Sequence, residues 1–77
     1  MSPRLPAAHA RQVLKALRLA GFTVDRVVGS HYVLVHPEDS ARAVTVPFHG
    51  TRDLKPGTLR GIIRQAGLSV EEFRDLL

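Results

Sequence analysis

Cysteine is absent from this 77-residue chain. That excludes a disulfide framework, a zinc ribbon and a thiol nucleophile together, and it suits a reducing compartment. No apolar run approaches the roughly 20 residues needed to span a bilayer, and the N-terminal stretch Met1-Ser2-Pro3-Arg4-Leu5-Pro6 lacks the apolar core of a secretion signal. Proline and glycine, at 5 and 6 residues, are too few for a low-complexity linker. Acidic residues are scarce: seven stand against eleven Lys and Arg, for a formal charge of +4 and an isoelectric point near 10.7. Hydrophobic residues make up 44% and charged residues 23%, the balance of a folded globular chain. The length allows a single domain, residues 1–77, with a modest core. A soluble cytoplasmic protein is the expectation.

The cations point toward a class of partner. Nine of the eleven are arginine, whose guanidinium matches phosphate with two parallel hydrogen bonds. A small basic domain of this kind suits a nucleic acid or an acidic protein.

Periodicity divides the chain into short elements. From Pro6 to Ala20 the apolar residues Ala10, Val13, Leu14, Leu17 and Ala20 recur at helical steps, with Arg11, Lys15 and Arg18 on another face and Gly21 after the last apolar position. Phe22 to Val28 alternates as a strand does. Gly29-Ser30 is a two-residue connection with glycine first, the pattern of a type II′ hairpin, and His31 to His36 is the return strand. Pro37-Glu38-Asp39-Ser40 forms a turn cluster, and Ala43 to Val46 a third strand stopped by Pro47. Phe48 to Lys55 is a polar connector. Pro56-Gly57-Thr58 opens a second helix with Leu59, Ile62, Ile63 and Ala66 as its apolar stripe and Gly67 at its close. Ser69 and Glu72 form a capping-box pattern for a short third helix carrying Val70, Phe73, Leu76 and Leu77. The order predicts an α+β fold, α-β-β-β-α with a small extra helix, whose three-stranded antiparallel sheet is covered by helices on one face. A simple two-residue hairpin opposes Val24 to Val35 and Arg26 to Val33. It gathers Phe22, Val24, Arg26, Val28, His31, Val33 and Val35 on the more apolar face, the one expected to take the helices. That places His31 at the end of the helix-covered face, beside a crevice.

Few side chains are available for chemistry. The histidines, His9, His31, His36 and His49, are the groups suited to moving protons near neutrality. Cleavage of RNA by its own 2′-hydroxyl asks little more: a base for the 2′-OH proton, cations for the charge on phosphorus and an acid for the departing 5′-oxygen, with no metal and no cofactor. His31 follows the Gly29-Ser30 turn at the mouth of a hairpin, a rigid seat for a directed side chain, although the same three residues also read simply as a turn and the start of a strand. His49, in the loop after the third strand, suits a second proton donor, a phosphate contact or simply a solvated position. His36 is a strand-end residue. His9 falls in a first helical turn, where the dipole disfavours its protonation. His31 and His36 are five apart on a strand and so face opposite ways, which excludes a shared metal. Ser30 and His31 are adjacent on a strand and diverge, which excludes a nucleophile–base pair. Arg52, Lys55, Arg60 and Arg64 line the approach to the second helix and one of its sides, while its start at Pro56-Gly57-Thr58 offers backbone N–H groups to a phosphate.

Taken in order, Gly21-Phe22, Gly29-Ser30-His31, His36-Pro37, Val44-Thr45-Val46-Pro47 with His49, and Leu54-Lys55-Pro56-Gly57-Thr58-Leu59 followed by Ile62, Ile63 and Ala66-Gly67 resemble the HicA (YcfA-like) toxin family over about Val13 to Phe73. The resemblance implies a fold like the double-stranded RNA-binding domain. It also implies a toxin of a type II toxin–antitoxin pair that cleaves mRNA without a metal. His31 would be catalytic, Gly29 and Ser30 its supporting turn, and nearby cations, with His49, the contacts to RNA. A HicB-type antitoxin would bind the toxin and block the site. Many relatives carry a second histidine or a polar residue just after the Gly-Ser-His block, where this chain has Tyr32-Val33-Leu34-Val35. The residues also suit a non-catalytic module on the same fold that binds duplex RNA by shape, or one whose basic surface pairs with an acidic protein. No membrane partner is expected.

Overall fold

In a computed structural model, residues 4–77 are described; Met1, Ser2 and Pro3, part of the stretch read above for a signal, lie outside the described residues. Helix α1 spans Ala10–Leu19, strands β1, β2 and β3 span Thr23–Val28, His31–His36 and Asp39–Pro47, and helices α2 and α3 span Pro56–Gln65 and Val70–Leu76. The strands form one antiparallel sheet in the order β1-β2-β3. This is the expected α+β arrangement. Among the described residues no helix is long and apolar enough to cross a membrane.

Helix α1 begins later than its apolar pattern predicts. His9 is extended (φ −93°, ψ 169°) and serves as N-cap. Its Nδ1 accepts the Gln12 N–H at 3.4 Å, while the Gln12 side chain accepts the His9 N–H at 3.0 Å. The preceding residues are held out of the helix because the connector uses them: the Leu54 N–H donates to the Ala8 carbonyl at 2.9 Å, and His9 pairs with Asp53 in an isolated bridge. His9 is therefore a cap rather than a first-turn residue.

The hairpin is as expected at its tip and different beyond it. Val28 pairs with His31 and Arg26 with Val33. Gly29 has φ +59°, the value a type II′ turn requires at its first central position and one that a side chain would strain. A bulge between Val24 and Arg26 then shifts the register, so Val24 opposes Leu34 rather than Val35. On the other side Leu34 pairs with Val44 and Tyr32 with Val46. Leu34, Val44 and Val46 are fully buried, so the Tyr32–Leu34 face takes the helices and the His31–Val33–Val35 face is open. The sequence expectation put these residues the wrong way round. It weighed β1 and β2 alone, whereas the bulge carries Phe22 and Val24 over to Leu34, and β3 supplies two valines to the same side. Strand β3 also starts at Asp39 rather than Ala43, because the turn is only Pro37-Glu38 and His36 pairs with Asp39.

The core lies between that face and the helices. Val13, Leu14, Ala16 and Leu17 of α1, Leu59, Ile62 and Ile63 of α2 and Phe73 of α3 are buried with Phe22, Leu34, Val44 and Val46. Burying each large side chain contributes about 1.5–3 kcal/mol. Arg42 ties the far end together. Its Nε and Nη2 donate to the Ala66 carbonyl at the end of α2, at 3.1 and 2.6 Å, and its guanidinium lies 5.3 Å from the centre of the Phe22 ring. Ser69 caps α3, accepting the Glu72 N–H at 3.0 Å while Glu72 accepts the Ser69 N–H at 2.8 Å.

Candidate functional site

His31 occupies the first position of β2, exposed and directly after the Gly29-Ser30 turn. The turn is clamped from the neighbouring strand: the Phe48 N–H donates to the Ser30 carbonyl at 2.7 Å, extending the β2–β3 ladder past Pro47. His31 is itself the cross-strand partner of Pro47. Directly opposed residues have Cβ atoms about 5 Å apart on one face, so His31 and Pro47 share the open face. The crevice anticipated between His31 and the helices is not there, since the helices cover the other face.

Pro47 instead lines an open cleft of about 610 Å³ with His49, Arg52, Asp53, Leu54, Lys55 and Thr58. Three of the side chains singled out in the sequence, His49, Arg52 and Lys55, thus converge at the end of the sheet where His31 begins. The loop that carries them is tight: Gly50 has φ +66° and the Arg52 N–H reaches the His49 carbonyl at 3.4 Å. Leu54, buried beneath the loop, fixes its far end. Lys55 is the N-cap of α2 with no side-chain capping bond, and Pro56 follows in the first turn. The Gly57 and Thr58 N–H groups therefore keep their donor capacity and the positive end of the helix dipole points at the cleft.

Arg60 and Arg64 are exposed but do not line the cleft. They sit two and six residues after Thr58, about 200–240° around the helix from it, and face away. The cleft also contains Thr58, from the helix start read above as a phosphate site, and one residue that the sequence reading passes over. Asp53 carries a negative charge among cations, brought in by the bridge to His9 that nothing in the linear pattern announces.

A second groove, of about 450 Å³, lies on the helix side of the sheet between α1 and the ends of β2 and β3, lined by Arg11, Leu14, Lys15, Arg18, Leu19, Tyr32 and Phe48. Tyr32 and Phe48 pack on each other, ring centres 5.4 Å apart and planes inclined by 39°.

The family model described as the HicA toxin of bacterial toxin–antitoxin systems matches residues 10–68. The chain belongs to the HicA toxin family. It is thereby placed among the toxins of toxin–antitoxin pairs, and such a toxin has an antitoxin as its partner. A comparison with curated proteins gave no match. In this HicA chain the matched span runs from α1 through α2 to the residue before the cap of α3. It therefore includes the Gly29-Ser30-His31 turn and the whole cationic cleft.

Proposed function

We infer that this HicA chain is a metal-independent endoribonuclease acting on mRNA in the cytoplasm, with His31 as its catalytic residue, and that a HicB-type antitoxin neutralises it. The observation that carries the reading is the seat of His31. An exposed imidazole stands immediately after a conformationally fixed turn, cross-strand from Pro47, and Pro47 lines a cleft with His49, Arg52 and Lys55.

The chemistry that this arrangement supports is transfer within the RNA. A base takes the 2′-hydroxyl proton, the 2′-oxygen bonds to phosphorus, the P–O5′ bond breaks, and an acid returns a proton to the departing 5′-oxygen. His31 suits the proton transfer, because neutral imidazole accepts at one nitrogen and its conjugate acid donates. Arg52, Lys55 and the free N–H groups opening α2 suit the non-bridging oxygens, where negative charge grows in the transition state. His49 serves as a phosphate contact or as the second proton carrier. Gly29 and Ser30 act by positioning, and Arg60 and Arg64 bind RNA beyond the cleft.

Induced expression tests this, with wild type beside His31→Ala and the length of bulk mRNA followed in the same cultures. Growth arrest and shortened mRNA for the wild type alone are the expected result. Equal arrest by both forms would transfer the toxicity to RNA binding without cleavage.

A further inference from the structure

The basic groove on the helix side of the sheet is left without a task by the cleavage reading. Its floor is apolar: Leu14, Leu19, Tyr32 and Phe48. Leu19 is 62% exposed, and Val27, the cross-strand neighbour of Tyr32, is 50% exposed, so the apolar surface continues past the groove toward the β1 edge. Its rim is cationic. Arg11, Lys15 and Arg18 follow one another at four and three residues along α1, a single stripe. Among the described residues the one ion pair is Arg26 with Asp25, at 2.7 Å, so no carboxylate of the described chain offsets the stripe.

We propose that this groove is the anchoring site for an acidic, amphipathic segment of the antitoxin, whose apolar side chains enter between Leu14, Leu19, Tyr32 and Phe48 and whose carboxylates face Arg11, Lys15 and Arg18. Charge complementarity selects an acidic occupant. Within that class the floor selects a peptide over RNA. Leucines give a base nothing to stack on, and the Tyr32 and Phe48 rings are both half-buried and lean on each other rather than standing out as a stacking platform. The placement agrees: His31 lies on the face of the sheet away from the helices, and the cleft lined by Pro47, Arg52 and Lys55 shares no lining residue with this groove. Leu and aromatic side chains ringed by charge are the usual composition of a helix-binding groove. The groove is an anchor rather than a plug. Its occupant touches Phe48, whose N–H holds the Ser30 carbonyl at 2.7 Å, and so abuts the turn that carries His31 without covering it.

The existence of a protein partner rests on family membership, while the consequence for cleavage rests on the nuclease reading above. The test keeps them apart by measuring affinity and cleavage separately, using the purified toxin and the antitoxin that forms its pair. Lys15→Glu with Arg18→Glu should weaken the toxin–antitoxin complex by roughly tenfold or more at about 0.1 M salt. The loss should shrink toward 1 M salt, where charges are screened within about 3 Å. Leu19→Ser should weaken it severalfold at both salts. Arg74→Ala, an exposed cation of α3 that does not line the groove, should bind the antitoxin as wild type does. All four side chains are exposed, and the milder Lys15→Ala with Arg18→Ala gives the same direction if the reversal perturbs folding. Antitoxin affinity within twofold of wild type for both double variants overturns the proposal. So does a loss confined to RNA affinity, which would make the stripe an RNA surface. Should the wild type leave RNA intact while the charge reversal still loses the antitoxin, the docking site stands and the nuclease reading falls.

Discussion

Truncating Leu34 and Val33 separately tests which face of the sheet meets the helices, and through it which face bears His31. Leu34 is fully buried, paired with Val44 and packed within the cluster of Leu17, Leu59 and Phe73. Leu→Ala at such a site removes the transfer free energy of the lost carbons and leaves a cavity, together about 2–5 kcal/mol. The chain has 77 residues, so its unfolding entropy is about 160 cal/mol/K and each kcal/mol is worth about 6 °C. Leu34→Ala should therefore lower the melting temperature by roughly 12–30 °C, a large share of the stability of about 4–12 kcal/mol expected at this size. Val33, its neighbour, is half-buried on the open face; Val33→Ala removes partly solvated methyl groups and should cost about 1 kcal/mol. Thermal and urea unfolding followed by circular dichroism give these numbers. Equal costs, or a larger cost at Val33, would reverse the assignment of faces and move His31 to the helix side.

Other consequences follow from single contacts. Arg42→Ala removes two charge-assisted hydrogen bonds to the Ala66 carbonyl and the contact with Phe22; a loss of about 2 kcal/mol in urea unfolding is expected, and a loss under 0.5 kcal/mol would show the tie to be idle. The Ser69 N–H bonded to its carboxylate, then the Ser69 hydroxyl, with a lesser contribution from Arg42, hold the Glu72 pKa below the usual carboxylate value. A depressed folded pKa stabilises above the unfolded value, about pH 4.3, and that contribution fades as pH falls through the folded value. Acid titration of Glu72→Gln should accordingly show a shallower loss of stability below that pH than wild type, and parallel curves would contradict the linkage. Gly29→Ala, forced to φ +59°, should cost about 1–2 kcal/mol and lower the cleavage rate by displacing His31; unchanged cleavage would show that the turn does not position it.

The elements were legible because their signals are local. The Leu59–Ala66 stripe with Pro56 and Gly67 bounds α2, Ser69 and Glu72 announce α3, and Gly29-Ser30 fixes a II′ turn. What escaped is non-local. The bulge at Asp25 has no glycine or proline to mark it, yet it decides where Val24 goes. The later start of α1 depends on Leu54 and Asp53, more than forty residues onward. In the cleft, His49, Arg52 and Lys55 could be grouped from their spacing, because one tight loop carries them. Asp53 could not be, and Arg60 and Arg64, joined to that group as i,i+4 neighbours on one side of α2, are turned away from the cleft by helical rotation.

The most direct measurement of the central claim is the chemistry of the cut. Purified toxin, freed of antitoxin and treated with a chelator, is incubated with an mRNA and with the same RNA carrying 2′-O-methyl groups, and the product ends are identified by mass spectrometry. The account predicts 2′,3′-cyclic phosphate ends from the unmodified RNA, none from the methylated RNA, and loss of cleavage with His31→Ala. Cleavage of the methylated RNA, or cleavage by His31→Ala at the wild-type rate, would contradict it.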